Sequence, residues 1–394
     1  MMNSKKRGDE TLKVLHICRQ FSPSVGGLED SLLNLARSQR QRLGIDAEVL
    51  TLDTVFGRPG KLPHRDVVDG IPVTRLAWRG STKYPLAPQV LRHIGGFDLL
   101  HVHAIDFFFD FLAWTWPLHR KTMIASTHGG FFHTGALRRI KEVWFRTITP
   151  ISVRAYKKIV ACSYSDADLF RNVAAGRLLT IENGINQTRF RDAASRTPNR
   201  TILAFGRFAV HKRLKLLFQL VALLRAYNPG WKVIVAGQDS NLTADDLRQQ
   251  ARACGIEDSL RIVPGPSDAE LRNLMGEASF FGCLSAHEGF GLAAVEAMSA
   301  GLVPILSNIT PFARLMQQGA AGVMVDPDNL APGAREAEDM AAGLPETADA
   351  LRARNMDVAS RYDWHSVAHE YARLYQQVLG RARPEANMAA AGAE

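Results

Sequence analysis

Short apolar runs punctuate this chain. Each is bounded by glycine, proline or polar residues, and most are followed by a stretch with the leucine or alanine spacing of a helix. Residues 13–18 (K-V-L-H-I-C) predict a first buried strand, 22–27 (S-P-S-V-G-G) a loop, and 28–43 a helix. Further strands are predicted over 47–52, over 71–76 after the Asp69-Gly70 turn, over 98–103 (D-L-L-H-V-H), and over 122–127, 158–162 and 178–182. Helices are predicted over 106–116 and 166–174. The pattern then restarts. Strands are predicted at 201–206, 232–236, 260–263, 279–284, 303–306 and 323–325. Between them lie helices at 214–227, at 243–254 with Asp245 and Asp246 in the first turn, and at 268–275. Acidic, proline-containing loops follow, then helices at 336–342, 346–354 and 365–379, with Gly343 and Pro345 separating the first of these from the second.

Alternation of this kind implies parallel sheets with helices on both faces. The fold class is α/β: two Rossmann-like, doubly wound domains with a ligand cleft at the carboxyl ends of their strands. The polar segment 186–200 reads as the linker. It divides the chain into a domain over 11–190, a second over 198–363, a final helix over 364–380 and an alanine-rich, disordered tail over 381–394.

The chain has 394 residues, enough for more than one core, and a formal net charge of +9. That excess favours an anionic partner. Cys18, Cys162, Cys254 and Cys283 are scattered without a C-x-x-C pair, which points to buried thiols in a reducing compartment. The first residues are charged and lack a following apolar run, so no secretory signal is expected, and no apolar stretch is long enough to span a bilayer.

Candidate chemistry gathers at predicted strand ends. Residues 285–300 (S-A-H-E-G-F-G-L-A-A-V-E-A-M-S-A) pass from small polar residues through Gly289 and Gly291 into an apolar helix, with Glu288 and Glu296 eight positions apart. A glycine turn feeding a helix offers free N–H groups to a phosphate. A carboxylate on either side suits a ligand with hydroxyls at both ends, such as a nucleotide-sugar. The plainer reading is an amphipathic helix with Glu296 in solvent. Arg207 and Lys212 follow the first strand of the second half, placed to grip a diphosphate; otherwise they are a basic loop before a helix. His128 stands at a strand tip before Gly129 and Gly130, as a ligand contact or a structural histidine. His103 ends another strand. Gly26-Gly27 either admit a ligand or make a tight turn.

The triplets Asp166-Ala167-Asp168 and Asp326-Pro327-Asp328 read as helix first-turn acids behind Ser165 and as a turn, so no metal site is expected. Ala136 to Ile159 carries seven cationic residues and the single acid Glu142, with Trp144, Phe145 and Tyr156 interleaved and Phe131 and Phe132 just upstream. Such a stretch fits an anionic membrane surface, or else a solvated helix with an apolar underside; no nucleic-acid motif accompanies it.

Taken together, E-G-F-G-L-A-A-V-E over 288–296, Gly206-Arg207 with Lys212, the Gly26-Gly27 loop and Thr127-His128-Gly129 resemble the retaining GT-B glycosyltransferases of family 4, over about residues 13–379. The resemblance implies a metal-independent enzyme without a cofactor, and a last helix that returns to the first domain. By position it implies that Glu288 and His128 meet the transferred sugar. Phe290, Gly291 and Leu292 would offer backbone groups, Glu296 would take the ribose, Arg207 and Lys212 the diphosphate, and Gly27 would close on it. Val210-His211 stand where the family commonly has an acidic or small residue. Within the family the chain is most similar to bacterial exopolysaccharide mannosyltransferases. These use GDP-mannose and a polyprenyl-diphosphate-linked cellobiosyl acceptor, which implies a cytoplasmic enzyme peripheral to the inner membrane face. A family member using a UDP-sugar, an epimerase of the same architecture and a non-catalytic assembly scaffold are the competing readings.

Overall fold

The computed structural model describes residues 11–128 and 138–381, with side chains over 11–128 and 142–381. The chain forms two compact units: residues 1–184 with 364–394, and residues 185–363.

The first unit holds an eight-stranded sheet and a small hairpin. In chain order the strands are β1 (Lys13–Ile17), β2 (Asp46–Leu52), β3 (Arg65–Val68), β4 (Ile71–Leu76), the hairpin pair β5 (Arg79–Ser81) and β6 (Tyr84–Leu86), β7 (Leu99–His103), β8 (Thr122–Ser126), β9 (Lys158–Ala161) and β10 (Leu178–Thr180). The sheet order is β10-β9-β8-β7-β1-β2-β4-β3, parallel throughout except for β3, which runs antiparallel to β4 at one edge. Strands β1, β7 and β8 are buried on both faces, which is why they read as continuous apolar runs. One face is covered by helix Gly27–Arg42 through Leu32 and Leu35, and by helix Trp364–Leu379 through Val367 and Tyr371. Phe108, Phe109 and Leu112 of helix Phe107–Trp114 pack on the other, where the Phe109 ring stacks on Tyr156. The side-chain period of two along β1 and β7 places His16, His101 and His103 together on the first of these faces, with His16 in register with His101.

The second unit holds β11 (Thr201–Phe205), β12 (Lys232–Gly237), β13 (Leu260–Pro264), β14 (Phe280–Cys283), β15 (Val303–Ser307) and β16 (Val323–Val325). All pair in parallel in the order β13-β12-β11-β14-β15-β16. This is the order of a doubly wound dinucleotide fold: the sheet grows one way from β11 to β13 and then the other way from β14. Helix Leu214–Tyr227 buries Leu217, Phe218 and Val221 on one face. On the opposite face helix Leu292–Ala300 buries Ala294, Val295 and Met298.

Several elements depart from what the sequence pattern predicts. Segment 186–200 is not a linker. It opens with helix Gln187–Phe190, seats Phe190 in the core of the second unit, and is held there by Arg352, whose guanidinium bonds the Asp192 carboxylate and the Ala194 carbonyl. The division falls at Gly184, so polar composition marked a surface segment rather than a boundary. Helix Thr310–Gln317, in a stretch where no element is predicted, begins with a proline in its first turn, where the missing N–H is harmless. Gly343 and Pro345 do not end a helix either: Leu330–Ser360 is one helix of 31 residues with Pro345 inside it. Its buried stripe of Ala334, Ala337, Ala341, Leu344, Val358 and Ala359 continues across the proline, and that packing outweighs one lost backbone bond. The helix predicted over 166–174 starts earlier, at Tyr164, capped by Ser163 rather than Ser165. The tail predicted as disordered lies, except for Arg381, outside the described residues.

A β-carbon at Gly343 would meet no atom within 4 Å. Gly343→Ala is therefore expected to stabilise the second unit by about 0.5–1 kcal/mol, read as a higher denaturation midpoint with an unchanged slope.

Candidate active site

In the second unit, the point where strand order reverses lies between β11 and β14, and the loops after those two strands carry the sequence-predicted groups. Gly206 leaves β11 with φ 132°, a conformation a side chain resists. The chain then passes Arg207 and closes a short 3-10 turn over Val210–Lys212. The loop after β14 docks on that turn: the Ala286 N–H donates to the His211 carbonyl at 2.7 Å, and the His211 and His287 rings lie 5.0 Å apart.

This docking brings Lys212 Nζ to 2.8 Å from Glu288 Oε1, with both side chains mostly buried. Ser285 Oγ donates to the same oxygen at 2.6 Å, and the Ser285 carbonyl is held by Ser307 Oγ at 2.7 Å. Glu288 is thereby fixed from two sides while the second oxygen and two of the ammonium protons remain for a ligand. Burial, with Lys212 beside it, keeps His211 below its usual pKa and favours the neutral ring. Arg207 lies exposed at the rim and makes no hydrogen bond or ion pair with the described residues.

Phe290 is buried with its ring 5.1 Å from Tyr362. Gly291, at φ 90°, is the N-cap of helix Leu292–Ala300, and a β-carbon there would stand 2.6 Å from the Phe312 ring. The amides of Leu292 and Ala293 find no acceptor among the described residues, so the helix presents free donors. Glu296 lies one turn further on and leans back toward that end. It does not stand alone in solvent: Arg189 Nη1 is 3.4 Å away, and Arg189 also grips Asp268. Arg189 is a residue the sequence pattern missed. It lies in the segment read as a linker, and only the fold brings it to the motif.

In the first unit, His128 follows β8 with φ 51°, unusual for a residue with a side chain. Its Nε2 lies 2.8 Å from His103 Nδ1, while its Nδ1 is buried without a partner among the described residues. Burial pushes its pKa down to about 4, so the ring is neutral near pH 7. Gly27 begins helix Gly27–Arg42 with open space where a side chain would be. Glu29 crowds the neighbouring Gly26, and with Asp30 it already sets negative charge on that helix end.

Asp166 accepts from Thr127 Oγ1 at 2.7 Å and its amide is capped by Ser163. Asp168 pairs with Arg171, and Asp326 accepts from the Asp328 amide. The carboxylates of Asp166, Asp168 and Asp326 thus have protein partners in local structure. Among the described residues, His16, His101 and His103 could be grouped as metal ligands, but both nitrogens of each ring already bond protein atoms. The four cysteines are free thiols, three of them buried.

In the basic segment, Phe145 and Tyr156 are core residues, as the alternative of a solvated helix with an apolar underside expects. Trp144 is partly exposed and lies 6.4 Å from the ring of half-exposed Trp114. Among the described residues, no helix is long and apolar enough to cross a membrane.

Two family models match the chain: Glycosyltransferase Family 4 over residues 25–189 and Glycosyl transferases group 1 over residues 186–346. The chain is 97% identical over 393 residues to a Komagataeibacter xylinus protein named GDP-mannose:cellobiosyl-diphosphopolyprenol alpha-mannosyltransferase, with all of both chains covered. A Xanthomonas campestris protein of the same name is 43% identical, covering 95% of this chain and 99% of its own. Among solved structures, a Rickettsia africae glycosyltransferase aligns with a TM-score of 0.72 at 15% identity, covering 95% of this chain and all of that one. An Anabaena protein solved with UDP and glucose aligns at 0.68 and 18% identity, covering 93% and 100%. The fold is GT-B.

The two motif glycines should respond differently to substitution. Gly291→Ala combines a left-handed backbone with a clash on Phe312 and is expected to destabilise the second unit by about 2–4 kcal/mol in denaturant titration. Gly289→Ala, with open space and no left-handed φ, should cost less than about 1 kcal/mol.

Proposed function

Because the chain belongs to the family 4 glycosyltransferases, we propose that it transfers mannose from GDP-mannose to a cellobiosyl group carried on polyprenyl diphosphate, in bacterial exopolysaccharide assembly, with retention at the anomeric carbon. The names of the Komagataeibacter and Xanthomonas relatives support the choice of sugar and acceptor. The observation that carries the chemistry is the Lys212–Glu288 pair beside the free amides of helix Leu292–Ala300.

In this reading the diphosphate lies on those amides and takes the remaining protons of Lys212, with Arg207 reaching in from the rim. Glu296 takes the ribose hydroxyls. Glu288 holds sugar hydroxyls; engaged by Lys212 and Ser285, its carboxylate suits that task better than free nucleophilic attack. His128 serves the transferred sugar. The bond from the anomeric carbon to the β-phosphate oxygen breaks, and the acceptor hydroxyl bonds to the same carbon from the same face. Its proton passes to the departing phosphate oxygen, so the donor supplies its own base. Fixed cations and amides stabilise charge as it develops on the leaving diphosphate, and this supplies most of the rate gain. A cofactor or metal has no assigned step.

Lys212→Ala and Glu288→Ala are each expected to lower kcat/KM by at least about a hundredfold with circular dichroism unchanged. Near-normal turnover in both purified variants would defeat the assignment. Product from GDP-mannose but not from UDP-sugars, with an α-linked mannose seen by NMR, separates this reading from a UDP-sugar transferase, an epimerase or a scaffold.

Approach to an anionic membrane surface belongs to the same proposal. Half-exposed Trp114 and Trp116 and exposed Leu118, Val143 and Ile151 accompany the exposed cations Arg146, Arg154 and Lys157 on the first unit. Sedimentation with vesicles is expected to retain the protein on phosphatidylglycerol but not on phosphatidylcholine, with binding lost as salt rises. Equal binding to both would remove the electrostatic part.

A further inference from the structure

The buried face of the first unit carries a continuous line of polar groups, of which the proposed reaction uses only His128. His128 Nε2 lies 2.8 Å from His103 Nδ1, and His103 Nε2 lies 2.9 Å from His16 Nδ1. His16 Nε2 lies 2.8 Å from Gln39 Oε1, and Gln39 Nε2 donates to the Tyr375 hydroxyl at 3.0 Å. A second branch runs from Tyr375 to His101 Nδ1 at 2.8 Å and from His101 Nε2 to Ser126 Oγ at 2.7 Å. His16, His101 and His103 are fully buried, and burial drives all three well toward the neutral form, His16 to a pKa of about 4.

A neutral imidazole has one donor nitrogen and one acceptor nitrogen, and this rule propagates along the line. The Gln39 amide oxygen can only accept, so His16 carries its proton on Nε2 and its Nδ1 accepts. His103 must then donate from Nε2 and accept at Nδ1. His128 in turn must donate from Nε2, which leaves its Nδ1 a bare lone pair. That atom is buried and has no partner among the described residues. An unpaired buried acceptor is costly, and the left-handed backbone at His128 adds to that cost. Such a cost persists where a ligand later supplies the missing donor.

We propose that Gln39, His16 and His103 are positioning residues that fix His128 in the Nε2–H tautomer, so that its Nδ1 accepts a hydrogen bond from a hydroxyl of the transferred sugar. This rests on the assignment of His128 to the sugar. The tautomer itself is a property of the protein without substrate, so the two can fail separately.

The test is long-range 15N NMR of the full chain labelled at histidine, with the His128 signals assigned through His128→Gln. The wild-type ring is expected to show a protonated Nε2 and an unprotonated Nδ1, the latter shifting on addition of GDP-mannose. Gln39→Met lies two rings away from His128. It should convert the single tautomer to a mixture and lower kcat about tenfold, with KM for GDP-mannose changed less than twofold. A proton on Nδ1 in the wild-type protein overturns the inference without any variant having to fold. So does a His128 tautomer unchanged in both Gln39→Met and His103→Phe. A wild-type tautomer as expected, with full activity in His128→Ala, would leave the relay standing and remove the sugar assignment instead.

Discussion

Lys212 and Glu288 stand 76 residues apart along the chain and 2.8 Å apart in space. Neither charge is well solvated, and each would be expensive to keep in its place without the other. Their pairing dictates much of what surrounds them. The loop after β14 must fold back onto the turn after β11, Ser285 must hold the same carboxylate oxygen, and Gly291 must start its helix at a left-handed angle under Phe312. The result is a cation held beside helix amides that find no acceptor among the described residues, which is what the proposed hold on a leaving diphosphate requires.

The strand order explains why that pairing forms where it does. In a doubly wound sheet, the two strands on either side of the reversal send their following helices to opposite faces, and their loops part to leave a crevice. β11 and β14 are those strands in the second unit, and helices Leu214–Tyr227 and Leu292–Ala300 indeed pack on opposite faces. Helix Gln187–Phe190 adds Arg189 to Glu296, and Arg352 pins the residues after it. The long helix Leu330–Ser360 contributes that arginine from beyond a proline that did not break it.

The first unit relies on a different constraint. Parallel strands buried on both faces leave little room for polar groups, yet β1 and β7 carry three histidines into the interior. They are tolerated because each nitrogen has a partner: Gln39 from one helix, Tyr375 from the last helix, Ser126 from β8, His128 after β8, and one bond between His16 and His103. The last helix is thus tied to the first unit by hydrogen bonds as well as by Val367, Tyr371 and Leu374.

Local pattern marked the central strands of both sheets and many of the helices: strands buried on both faces are written as apolar runs, and helices Leu214–Tyr227 and Asp268–Met275 carry their apolar stripe in the sequence. The motif 288–296 and the cations Arg207 and Lys212 could likewise be singled out as candidates, because a glycine turn before an apolar helix and cations after a strand have a chemistry of their own. What the chain could not display was anything that depends on distant segments meeting. The pairing of Lys212 with Glu288, the placing of Arg189 beside Glu296, the continuation of a helix through Pro345 and the joining of His16, His103 and His128 into one line all arise from sheet order and register. Those are settled only when whole faces are buried together, since the gain from burial belongs to the assembled core and not to any one stretch of sequence.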